Sequence, residues 1–206
     1  MLPAQGNPPK IGLVILAMTI GNAIILISQT AVPLALPSIM QDLRVGSQTV
    51  QWVLTASLLP LAGLMVLGGR LGDIFGLRRT FIIGAAVFAG ASAAAGLAPT
   101  FELLVLCRAI QGVGGALLLP NSVAIVSSAS RGQNPGRALG LLGGAAAVAG
   151  ALGPVLGGAL SGTLGWRAVM LINLPLALLS IFVTLAVVPA GRGTTDGKKV
   201  DLAGAA

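Results

Sequence analysis

Arg108 stands inside an otherwise apolar run, and Gln111, Gly112 and Gly115 follow it at i+3, i+4 and i+7. On a helix these four share one face. A charged side chain within a membrane-spanning segment costs a few kcal/mol or more, and usually faces a cavity or a partner. The face therefore reads as a charge held inside a helix bundle. The competing reading is snorkelling to the nearer interface, with Glu102 six residues away. Gly112-Val113-Gly114 is too incomplete for a dinucleotide fingerprint, and no strand precedes it.

Three further groups carry chemistry. Gly69, Asp73, Gly76, Arg78 and Arg79 form the pattern G-x-L-x-D-x-x-G-x-R-R between two long apolar segments. Charges there serve topology and helix capping. The glycines of the run, Gly69, Gly72 and Gly76, allow a tight turn and close backbone approach. Gly153 and Gly157 make a small-x-x-x-small ridge extended by Ala149, the pattern of close helix packing. Pro154 inside that ridge, followed by Gly157-Gly158, marks a kink, because proline costs about 3 kcal/mol in a helix interior. Thr19, Asn22 and Gln29 share a helical face; they line a cavity or hydrogen-bond between helices, and both readings stay open.

Covalent catalysis has no candidates. The chain lacks His, and Cys107 is alone, so there is no disulfide framework and no Cys/His metal cluster. No nucleophile–base set or nucleotide site is present. The expectation is a protein that is not an enzyme and needs no cofactor or metal.

The elements that must hold these residues follow from composition. Of 206 residues, 55% are hydrophobic and 8% charged, with mean hydropathy +0.97. Such a chain needs the bilayer as its solvent. Spans of about 20 apolar residues are needed to cross it, and six are found, at 11–36, 50–68, 80–98, 103–126, 138–160 and 168–188. The alternating ten-residue segments of a barrel are absent. The first span is too long for a signal-peptide core and reads as a retained helix.

The net charge of +7 is a topology signal, not a nucleic-acid surface. With the N-terminus inside, nine cations (Lys10, Arg70, Arg78, Arg79, Arg131, Arg137, Arg192, Lys198, Lys199) fall on the cytoplasmic side, and two, Arg44 and Arg167, fall outside. Lipid headgroups are the expected partner. The fold class is all-α: a polytopic membrane protein whose six transmembrane helices occupy 1–189, in two three-helix repeats of about 11–98 and 103–188. A cytoplasmic linker occupies 190–206, where apolar character resumes at Leu202, as at the start of a seventh helix.

The charged hairpin resembles the helix 2–3 signature of the major facilitator superfamily, motif A. Arg108-Ala109-Ile110-Gln111-Gly112-Val113-Gly114-Gly115-Ala116 resembles motif B, and Gly153-Pro154-Val155-Leu156-Gly157-Gly158 resembles motif C. Trp166-Arg167, Leu171-Ile172-Asn173-Leu174-Pro175 and Ala35-Leu36-Pro37 are similar to the fourteen-helix drug:proton antiporters of the EmrB/QacA type. The resemblance implies half of a transporter bundle built from two such halves. It implies a latch to the other half at Asp73 and Arg78, a proton-coupling role for Arg108, and export for the motif C helix. The expected activity is proton-coupled efflux of small amphipathic drugs or toxic metabolites across the plasma membrane. Two motif A positions that are often basic hold Ile74 and Leu77. The helix 1 motif D-x-T-x-x-N reads here Ser28-Gln29-Thr30-Ala31-Val32-Pro33, so its aspartate is missing. If protons are coupled, either the titrating acid lies in the C-terminal half, a partner absent from this chain, or Asp73 serves indirectly. The rival readings are an importer of the same fold, and a non-transporting remnant or a half that dimerises.

Overall fold

The computed structural model describes residues 11–130 and 134–189; the expected linker at 190–206 lies outside the described residues. The order of elements is α1 (Ile11–Leu43), α2 (Ser47–Val50), α3 (Trp52–Phe75), α4 (Leu77–Gly96), α5 (Phe101–Ala129), α6 (Pro135–Thr163), α7 (Trp166–Leu171) and α8 (Asn173–Val187). They make six helical segments long and apolar enough to cross a membrane, with α2–α3 and α7–α8 each acting as one. The described residues contain no strand. The all-α polytopic expectation holds.

The boundaries shift for identifiable reasons. α1 runs to Leu43, past Pro33 and Pro37. Its 33 residues measure about 50 Å, longer than a hydrocarbon core of about 30 Å. Arg44 ends it in the left-handed region (φ 54), and the Val45 N–H closes the turn on the Met40 carbonyl. α5 opens on a Thr100 cap, whose hydroxyl accepts from the Leu103 N–H. α6 opens on an Asn134 cap with Pro135 at its first position. The sixth span is interrupted at Ile172. Pro175 has no N–H for the Leu171 carbonyl, so the ladder lapses there. The Asn173 side chain instead donates to the Met170 carbonyl at 3.3 Å.

Chain connections alternate between two ends of the bundle. The Gly76 turn lies at the same end as the start of α1, the near end. The α1–α2, α4–α5 and α6–α7 connections lie at the far end. There the Asp42 carboxylate accepts from the Trp166 indole at 3.0 Å and pairs with Arg167. The Arg167 guanidinium stacks 4.4 Å above the Trp166 ring. This clamp joins the end of α1 to the α6–α7 turn.

The apolar core divides in two. One cluster, toward the near end, holds Met18, Ile25, Leu61, Phe81, Leu118 and Val126; the other, toward the far end, holds Val32, Ile39, Val53, Ala95, Leu104 and Met170. Between them, on α1, α3, α4, α5 and α8, lie the buried polar residues Ser28, Ser57, Ser92, Arg108, Gln111 and Asn173.

Candidate functional site

That polar layer is centred on Arg108, which is fully buried. Its Nε–H donates to the Val53 carbonyl at 2.9 Å. Nη1 donates to Ser28 Oγ at 2.9 Å and to Gln111 Oε1 at 2.7 Å, and Nη2 donates to Ser57 Oγ at 2.7 Å. The network continues outward. Gln111 Nε2 and Asn173 Nδ2 both donate to Ser92 Oγ, at 3.1 and 3.0 Å, and the Ser92 hydroxyl donates to the Met170 carbonyl. Five of the six spans are thereby tied at one level. Glu102 is exposed in the first turn of α5, so the snorkelling alternative for Arg108 does not describe this fold. The helical face fits as expected: Gln111, Gly112 and Gly115 are buried with Arg108. A Cβ on Gly112 would lie 2.3 Å from the Ser57 carbonyl oxygen, which is why α3 comes close enough to reach the guanidinium.

Sequence reasoning missed Ser57 and Ser92. A lone serine in an apolar run has the same pattern as alanine. Of the three residues with an open assignment, Asn22 is buried and its Oδ1 accepts from Ser122 Oγ at 2.9 Å. Gln29 exchanges a long hydrogen bond of 3.4 Å with Ser57. Both contacts run between helices. The Thr19 hydroxyl is buried without a partner among the described residues.

The glycine–proline ridge of α6 packs on α1. Pro154 cannot donate to the Gly150 carbonyl, and the Thr30 hydroxyl donates to it instead, at 2.9 Å. A Cβ on Gly153 would fall 1.7 Å from Thr30 Oγ1, and one on Gly157 would fall 2.4 Å from the Ala31 carbonyl oxygen. Gly158 has open space around it and Pro154 is exposed. Residues 135–163 stay one helix despite the proline, so the expected kink does not interrupt it.

The motif A run corrects the expected hairpin. Gly69 and Asp73 belong to α3, and the turn is Gly76 alone, at φ 98, a conformation that favours glycine. Gly72 serves approach, not turning: its Cβ would sit 1.7 Å from Asn121 Oδ1 on α5. Asn121 Nδ2 in turn donates to the Gly68 carbonyl at 2.9 Å. Gly72→Ala should therefore cost about 1–3 kcal/mol of stability by forcing Asn121 aside. Gly69→Ala, whose new methyl meets only Pro120 at 3.5 Å, should melt like wild type in a detergent thermal scan. Equal melting of the two variants would exclude this packing.

Asp73 is exposed, with no ion pair among the described residues. Arg79 is exposed as well. Arg78 does not pair with Asp73: its Nη2 donates at 2.9 Å to the Leu185 carbonyl in the last turn of α8. Cations stabilise helix C-termini.

The family model described as Major Facilitator Superfamily matches residues 18–203. A tetracenomycin C resistance and export protein of Streptomyces glaucescens is 34% identical over 98% of this chain and 38% of its own length. A lincomycin resistance protein of Streptomyces lincolnensis is 39% identical over 98% of the chain and 41% of its own length. A cephamycin export protein of Amycolatopsis lactamdurans is 37% identical over 93% and 40%. The chain thus spans about two fifths of the length of these relatives. Among solved structures, a crystal structure of the peptide transporter POT superposes with TM-score 0.76 at 15% identity, over 90% of this chain and 39% of that one. That likeness concerns the fold alone. With six membrane-length helices and a family match over residues 18–203, the chain belongs to the Major Facilitator Superfamily.

Proposed function

We propose that this chain is the N-terminal half of an exporter of small amphipathic compounds, working by proton exchange in the plasma membrane with its N-terminus in the cytoplasm. The observation that carries the reading is the α1–α6 contact. The segment Gly153-Pro154-Val155-Leu156-Gly157-Gly158 that resembles the exporters' motif lies against α1, with Thr30 supplying the hydrogen bond that Pro154 removes. Relatives named as resistance and export proteins support the direction. Proton coupling needs a titrating group in the pathway, and Ser28 holds the place where the resemblance puts an aspartate. The acid is therefore assigned to the complementary half. The latch role of Asp73 also belongs to that half's docking.

The test is transport into everted vesicles from cells expressing the gene with its native continuation, where cellular export reads as accumulation in the lumen. An imposed pH gradient should drive export of an amphipathic dye, and collapsing the gradient should stop it. Movement out of the everted vesicles instead would replace the exporter with an importer of the same fold.

Orientation has its own test. Ser47→Cys at the far end and Ile74→Cys at the near end are both exposed sites. A membrane-impermeant thiol reagent added outside should label the first and spare the second. Ser130, also near the Gly76 end, is fully buried and would report nothing. Labelling of Ile74→Cys alone would invert the topology.

A further inference from the structure

The five carboxylates of this chain are Asp42, Asp73, Glu102, Asp196 and Asp201. The first three sit in terminal turns of α1, α3 and α5, and the last two lie outside the described residues. No carboxylate therefore faces Arg108 from α1, α3, α4, α5 or α8. Its four hydrogen bonds end on two hydroxyls, one amide and one backbone carbonyl. Such bonds satisfy donors without cancelling the net positive charge. Half-buried Gln29 lines the narrow void beside that charge and is bonded to the same Ser57 that holds Nη2. The chain has no Tyr, and Phe88 lines the void beside Arg108 as a lone ring, which is no cage to offset the field for a cationic guest.

We propose that the site around Arg108 discriminates by charge, taking uncharged or anionic amphipaths and refusing permanently cationic ones. The inference rests on the export reading above and specifies its substrate class. At a separation of about 10 Å and an effective dielectric near 20, a unit charge on the guest is disfavoured or favoured roughly tenfold. Ser28 is the residue through which this selection can be cancelled, because its Oγ lies 2.9 Å from Nη1. An aspartate there would neutralise the guanidinium where it stands.

The experiment uses three probes sharing a triphenyl skeleton: methyltriphenylphosphonium, triphenylmethanol and triphenylacetate. They are offered to vesicles carrying the gene with its native continuation. Wild type should export the carboxylate and the alcohol at least about tenfold faster than the phosphonium. Ser28→Asp should close that gap, and Ser28→Asn, of similar size and no charge, should keep it. Equal export of all three by wild type overturns the inference while leaving export intact, as does a gap untouched by Ser28→Asp. Should none be exported, equilibrium dialysis of the same probes against the purified protein reads charge preference directly. A tenfold preference against the phosphonium then upholds the charge selection although export has failed, and equal or cation-favouring binding overturns it.

Discussion

Gly157→Ala should uncouple helices α1 and α6. The new methyl would lie 2.4 Å from the Ala31 carbonyl oxygen and 2.7 Å from the Ala31 Cα. Backbone atoms cannot rotate out of the way, so the helices must separate. Overpacking of this kind costs about 1–3 kcal/mol. It also draws Thr30 away from the half-buried Gly150 carbonyl, whose hydrogen bond is worth about 0.5–1.5 kcal/mol. The expected result is correct insertion, a clearly lowered melting temperature in detergent and loss of efflux in the full-length transporter. Gly158→Ala is the matched control, since open space surrounds that neighbour. Thr30→Val should reproduce part of the defect without any clash. Wild-type melting and efflux in Gly157→Ala would remove the close contact from the account.

The second large effect is expected at Arg108. Read from the sequence, Arg108→Ala spares the fold and harms turnover, because an unpaired buried cation contributes nothing the fold would miss. The structure reverses part of that expectation. Four hydrogen bonds from a charged donor contribute about 1.5–3 kcal/mol each. Desolvating one ion costs several kcal/mol. The bonds win, and truncation also leaves a void between α1, α3 and α5. Arg108→Ala should therefore lose both stability and export. Arg108→Lys should fall between, since an ammonium cannot reach Val53, Ser28 and Ser57 together as the planar fork does. Thermal unfolding of the three proteins in one detergent decides it. A melting curve for Arg108→Ala that overlays wild type would show that the network adds nothing to the fold.

What could be read in advance was set by residue types that are scarce in a bilayer. Arg108 is the sole charge inside a predicted span, so its burial and its helical face were visible. The Gly153–Gly157 spacing likewise announced close packing. Serines and prolines were harder. Ser57 and Ser92 act only because α3 and α4 bring them to the level of Arg108, and that level is a tertiary fact. The run of 70–79 looked like a loop because its charges and glycines are the currency of turns. Yet α3 continues to Phe75, because beyond the hydrocarbon a charged helical turn is freely solvated, and Gly72 is demanded by Asn121. Pro33 and Pro37 stay within α1 although each removes one N–H from its ladder, as membrane helices tolerate.

Arg78 has a consequence for the order of assembly. It is the second residue of α4, where no acidic side chain offsets it, so it opposes the dipole of its own helix. Its compensation is the Leu185 carbonyl, 107 positions later in the chain. During synthesis the α3–α4 pair is complete long before that acceptor exists. Until α8 arrives, the pair carries a locally frustrated charge that water or headgroups must accommodate. When α8 docks, Nη2 gains the Leu185 carbonyl, while Nε stays buried without a partner among the described residues. The order of the chain thus sets the order of compensation: the cation at the start of α4 waits for an acceptor that only the last described helix supplies.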